Sequence, residues 1–325
     1  MKKTLLLPSF LLATLVAPSM EAQTERWWPH PIWGEGDQAG GSNWITPEKI
    51  LEAVQLVKSG KVYELGHLYE RGMPIFGDRT YALFIPGSPT GGPLGKNKIV
   101  YHDEFVCAEI GQVGTQFDGL GHVGTEVTAD DGSVQNIFYN GYTVAEMKSP
   151  YGLKKLGIEH VKPIVTRGIL IDVAGYKGVE MLAPDYEVTV ADIRGALAKQ
   201  GLSEDDIQSG DALIFRYGWS KTWSDPVKNQ GDMPGIGFEA AKWVVDRKPS
   251  MIGSDGGSTE IVPNPDPNLA YPIHQEIITK NGIFNLENMA LEELAEDGAN
   301  EFLFIMTPIR FKGATGSPAR PIAIR

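Results

Sequence analysis

The stretch GQVGTQFDGLGH, residues 111–122, packs an aspartate, a histidine and four glycines into twelve positions. Side chains alternate between the faces of an extended chain. With residues 110–118 extended, Gln112, Gly114, Gln116 and Asp118 point to one side, while Thr115 and Phe117 point to the other. Burying unpaired amides and a carboxylate costs several kcal/mol, so the polar face is not an ordinary core face. Gly119 and Gly121 allow a sharp turn that swings His122 back towards the same space. Spacing alone equally allows an exposed edge strand with Asp118 starting a turn, since Gln and Asp are common surface residues.

Working outward, TPEKILEAVQLVKSG opens with Thr46 as N-cap and Pro47 at the first helical position, and predicts a helix. KVYELGHLY follows as a strand. Residues 84–98 are rich in Gly and Pro and read as a loop. RGILIDVAG and DALIFRYGW are apolar runs of β-rich composition that read as buried strands. TVADIRGALAKQG, capped by Thr189, and GFEAAKWVVDR read as helices, with SMIGSDG a strand after the second. HQEIITKNG predicts a short helix and EFLFIMTPIRF a closing strand. Strands alternate unevenly with helices and several pair as hairpins, which predicts a single α/β domain with a mixed sheet.

The first residues carry Lys2 and Lys3, then the apolar run LLLPSFLLATLVAP, then small residues around Ala22. That layout predicts a signal peptide over residues 1–22 and a periplasmic or secreted protein. The domain then covers 23–325, with the Trp- and Pro-rich residues 23–41 as an extended arm lying on the body. One cysteine excludes an internal disulfide, so core burial must hold the chain together. A formal net charge of −12 without a cluster of Lys and Arg argues against nucleic acid or anionic lipid and for a small-molecule ligand. No segment after the first calls for a membrane span. Neither a GxxxxGKS/T phosphate loop nor a GxSxG nucleophile elbow occurs.

VGTQFDGLGH resembles the His-x-Gly-Thr-His-x-Asp-x-Pro-x-His signature of the cyclase family of metal-dependent hydrolases, which includes bacterial kynurenine formamidases and isatin hydrolases. Matching blocks follow in order, among them SNWITPEKILEAVQLVKSGKVYEL, VTRGILIDVAG, GDALIFRYGW, IGSDGGSTEIVP, HQEIITKNGIFNLENMALEEL and GSPARPIAI. The resemblance implies a barrel-like mixed sheet wrapped by helices, a homodimer or homotetramer, and a divalent metal, zinc or manganese, that activates water against a cyclic or formyl amide. It implies Asp118 as a metal ligand and His122 as acid/base, with His274 and Glu287 as a second metal-facing pair.

The family's first two ligand histidines fall on Gln112 and Gln116, and its proline on Leu120. Amides bind metal only weakly, through the carbonyl oxygen. Three outcomes stay open. A harder ion such as manganese or calcium sits on Asp118, Glu287, His274 and the two Gln oxygens. Alternatively, His122 and Asp118 transfer protons without metal, as in a cyclase, dehydratase or isomerase. Or the site only binds a solute. Of the other histidines, His67 is a pocket-lining candidate or a hydrogen-bonded strand end, and His102 is a candidate to reach the site. His30 and His160 read as structural. Asp255 and Glu260, in the Gly-Ser loop SDGGSTEIVP, are either site carboxylates or a turn cap and a solvated group. Phe138, Tyr139 and Tyr142 are candidate aromatic walls for a flat ligand, as are the tryptophans.

Overall fold

A computed structural model describes residues 26–129 and 131–325; the segment read as a signal peptide lies outside them. Nine strands form one mixed sheet curled into a half-barrel. Its middle is parallel: Ile164–Asp172, Ala212–Arg216, Met251–Ser254 and Phe284–Glu287 run side by side. These are the apolar runs of the sequence, and parallel strands covered on both faces demand that composition. Antiparallel strands flank them. Glu301–Met306, Ile322–Ile324 and Val62–Glu64 lie on one side, with Gln116–Asp118 and Gly316–Pro318 on the other.

Helices Val190–Lys199 and Phe238–Asp246 follow strands and cover the sheet, burying Ile193, Ala196 and Leu197, and Ala241 and Val244. Thr189 caps the first of these in a box with Asp192, as its position predicts. Thr46 caps a helix that is shorter than the pattern suggests, Pro47–Val54. The amino-terminal arm lies on the body, with the His30 ring against Tyr139 and Asp37 accepting the Tyr139 hydroxyl at 2.8 Å.

Two expectations need correction. Residues 110–118 are not one strand: only Gln116–Asp118 is extended, and the chain before it turns, with Gly111 and Gly114 at φ of 90° and 66°. A Cβ at Gly114 would lie 2.5 Å from the Tyr69 ring, so the turn needs glycine there. Residues 84–98 are not simply a loop, because Gly91–Leu94 pairs with Ile99–Tyr101 in a hairpin. Composition marks the bends of such a ribbon and hides its strands.

Candidate functional site

The short strand Gln116–Asp118 is buried between two neighbours, which removes the exposed-edge reading. Phe117 turns into the core, its ring 5.0 Å from that of Phe284. Gln116 and Asp118 turn the other way. In the antiparallel ladder Asp118 lies opposite Asn285 and Gln116 opposite Glu287. Because alternate residues share a face, the register alone brings two carboxylates and two amides onto one patch.

His274 completes it from the helical turn Pro272–His274, with Nε2 3.2 Å from Glu287 and 3.8 Å from Asp118. The ligand atoms of Asp118, His274 and Glu287 all lie within 4.8 Å of one another, and all three side chains are buried. Gln112 and Gln116 occupy the neighbouring positions as hydrogen-bond donors. Gln112 Nε2 donates to Asp118 at 2.8 Å and Gln116 Nε2 to Glu287 at 2.9 Å. Asn285 Nδ2 donates to Asp118 at 3.1 Å and to Glu287 at 2.8 Å, while its own oxygen accepts the Thr259 hydroxyl at 2.6 Å. Sequence reading missed Asn285. Its signal was present, since it sits two residues before Glu287 on the same strand face.

Glu260 sits behind His274. Its carboxylate accepts the backbone N–H of His274 at 3.0 Å and of Ile273 at 3.3 Å, and bonds the imidazole Nδ1. It therefore holds the proton on Nδ1 and leaves Nε2 free towards Asp118 and Glu287. Burial works to lower the His274 pKa, but the bonds to Glu260 and Glu287 outweigh it and hold it well above its ordinary value. Burial, and next the charge of Asp118, push the Glu287 carboxyl up.

His122 stands differently. It lies just past the turn at Gly119–Gly121, its Nε2 3.8 Å from Asp118, and its side chain keeps 23% of its exposure. It lines a cavity of about 350 Å³ whose floor includes Gln116, His274 and Glu287. Phe76 and Tyr271 supply aromatic surface, with Arg79 at one side. The segment 224–234 contributes Asn229, Gln230 and Met233.

Several candidates lie elsewhere. His67 stacks on Trp223 at 4.1 Å, outside the cavity, and burial pushes its pKa down to about 4. Its backbone N–H donates to Thr115 Oγ1 at 2.8 Å, so it braces the turn before the site strand. His102 is exposed beside Ser88 on the hairpin. Asp255 is a turn cap: it accepts the N–H of Tyr217 at 2.8 Å, and burial raises its pKa to about 7. Tyr139 belongs to the core, and Phe138 and Tyr142 pack against that core rather than lining the cavity.

The sequence profile of the family described as "Putative cyclase" matches residues 63–261. A solved structure described as a novel cyclase is 32% identical, with a TM-score of 0.79 over 90% of this chain and 96% of its own. Isatin hydrolase A from Ralstonia solanacearum is 19% identical, with a TM-score of 0.60 over 86% of this chain and 98% of its own. Isatin hydrolase A from Labrenzia aggregata is 18% identical, with a TM-score of 0.59 over 81% and 93%. These last two likenesses are of fold. A search of curated proteins finds no match.

Proposed function

The chain belongs to the cyclase family, and on that premise we propose that it is a hydrolase. Its substrate would be a small cyclic or aryl amide, lactam, formamide or lactone, opened at the C–N or C–O acyl bond. The observation that carries this reading is His122 Nε2 on the cavity wall, 3.8 Å from a buried carboxylate that is itself part of a three-residue ligand cluster.

The cluster fits a divalent cation. Two buried carboxylates face each other, and among the described residues no Lys or Arg hydrogen-bonds to either. Protonated His274 beside them supplies one positive charge, and a divalent cation in place of that proton would balance both carboxylates. Asp118, His274 and Glu287 would hold the ion, and the Gln112 and Gln116 carbonyl oxygens could join them by turning each amide about its last torsion. A set of one nitrogen and up to four oxygens suits manganese better than zinc. When bound, the ion would polarise a carbonyl oxygen and acidify a water.

The chain's own groups supply the rest. His122 Nε2 takes the proton of the attacking water and returns it to the leaving nitrogen or oxygen, the work of a general acid/base on the cavity wall. Asp118 would anchor the ion or, in a metal-free site, orient that imidazole. Glu260 fixes His274 as an Nε2 donor. Phe76 and Tyr271 hold a flat ligand and shield it from water.

A second reading, metal-free acid/base catalysis, is favoured by one observation: both carboxylates already accept amide N–H groups. Elemental analysis of protein purified without chelators separates the two. One manganese or zinc per chain, lost in Asp118→Ala, supports the hydrolase; activity that survives exhaustive chelation favours the second reading. Export to the periplasm or medium, and assembly as a homodimer or homotetramer, complete the proposal. The mature amino terminus and the sedimentation of the purified protein test them.

A further inference from the structure

Residues 254–260 follow a buried strand, and their polar side chains can be accounted for one by one. Ser254 Oγ donates to Thr259 Oγ1 at 3.2 Å, and the Thr259 hydroxyl donates to Asn285 at 2.6 Å. Asp255 caps the turn at Tyr217, and Glu260 holds His274. The Ser258 side chain is left over. Ser258 is 4% exposed, and its hydroxyl has no hydrogen-bond partner among the described residues. A hydroxyl shut away from water without a partner costs stability, and native structures keep few of them.

Asn288 repeats the pattern one residue past Glu287. Its backbone sits at φ 55°, in the left-handed region that asparagine tolerates better than most residues. Three bonds keep it there. Its N–H donates to the Gly256 carbonyl at 2.7 Å, its carbonyl accepts the Thr115 hydroxyl at 2.6 Å, and its Nδ2 donates to the Gly114 carbonyl at 3.1 Å. The last bond fixes which way the amide faces, because the flipped form would set oxygen against oxygen. Oδ1 is therefore the free atom, and it too is buried without a partner among the described residues.

Ser258 and Asn288 both line the cavity, and so does Gly257. A Cβ on Gly257 would lie 3.5 Å from Asn288 Oδ1, which sets that oxygen against the loop at the cavity wall. An amide oxygen can only accept, so a donor is what completes it. A hydroxyl accepts or donates, and therefore fits either side of an amide. At the acyl bond, an amide, lactam or formamide that keeps its N–H carries such a donor. A lactone or an N-alkylated amide does not.

We propose that Asn288 Oδ1 and Ser258 Oγ form a subsite that receives the N–H of the ligand's acyl bond. The site thereby selects secondary amides and lactams over N-alkylated amides and lactones. A site built to bond a substrate N–H rejects the analogue lacking it, because its own buried oxygen is then left unpaired. The selection rests on the hydrolase reading for turnover and is independent of it for binding.

The test is the affinity of three matched ligands for protein purified without chelators: the lactam dihydrocarbostyril, its N-methyl derivative and the lactone dihydrocoumarin. Calorimetry measures binding, and turnover is followed separately. Wild type should bind the N–H lactam about 10- to 100-fold more tightly than the other two. Asn288→Gly removes the oxygen and suits the left-handed backbone, and it should bring that ratio to within about threefold. Ser258→Ala should narrow the ratio as well. Gly257 does not sit in the left-handed region, so Gly257→Ala sets a methyl beside Asn288 Oδ1 at ordinary contact distance and should weaken the N–H lactam more than the others. A variant that merely folds poorly weakens all three ligands alike and leaves the ratio where it was. A ratio near one in wild type, or one that survives both Asn288→Gly and Ser258→Ala, overturns the subsite. Selective binding with no turnover of any of the three supports the subsite and counts against the hydrolase reading. No binding of the three at millimolar concentration overturns the subsite, while turnover of other acyl compounds would still uphold that reading.

Discussion

Glu260→Gln isolates the group behind the ligand histidine. In the native protein one buried carboxylate, 1% exposed, serves three donors: two backbone N–H groups and the His274 Nδ1 proton. Glutamine keeps one oxygen, which can still accept from His274. Its amide nitrogen then faces the Ile273 N–H, donor against donor. A charge-assisted bond becomes a neutral one and a backbone donor goes unpaired, which together cost about 1–3 kcal/mol of stability. His274 also loses the partner that outweighs burial, so its pKa should fall. A less basic and less well-held imidazole should weaken cation binding by about 10- to 100-fold. Isothermal titration with manganese measures the affinity, and the Nδ1–H proton resonance reports the imidazole itself. Loss of that resonance with an affinity within twofold of wild type would refute the reasoning and reduce Glu260 to a cap on the following turn.

Other substitutions test the remaining parts. His122→Ala should leave the unfolding midpoint unchanged and remove turnover; an unchanged kcat sinks His122 as the proton carrier. Restoring imidazoles with Gln112→His/Gln116→His should raise zinc affinity by at least about tenfold in a competition titration, since nitrogen donors suit zinc. Asp255 has a folded pKa raised from 3.8 to about 7, so the folded state holds a proton that the unfolded chain has released. That contribution is fully present below pH 3.8 and lost as pH rises to about 7. Asp255→Asn should therefore gain on wild type between pH 4 and 8, by up to roughly 4 kcal/mol. A difference in urea midpoint that stays constant over that range would contradict it. Phe117→Ala should cost about 3–5 kcal/mol, as cavities at buried aromatics do, with the loss read from denaturant unfolding.

Much of this architecture is legible in the residues. Continuous apolar runs such as ILID and ALIF read as strands covered on both faces, and their uneven spacing among capped helices, with hairpin pairs, points to a mixed sheet. The run from Gln112 to His122 stands out for its chemistry, but its spacing alone allowed an exposed edge strand equally. Family resemblance then supplied His274 and Glu287, which lie over 150 positions away.

Other features depend on pairings that no local pattern encodes. Asn285 enters the site through the register that sets it opposite Asp118. Glu260 and Asp255 sit five residues apart in one loop, yet one bonds a ligand histidine and the other caps a turn at Tyr217. His67 and Tyr139, chemically fit for a site, are taken by a Trp223 stack and by Asp37. By itself the sequence determined which residues must be buried and which chemistry is available, because both follow from composition and period. Which of the available groups face one another was decided only by the tertiary structure, because register and loop path are set by contacts between residues far apart in the chain.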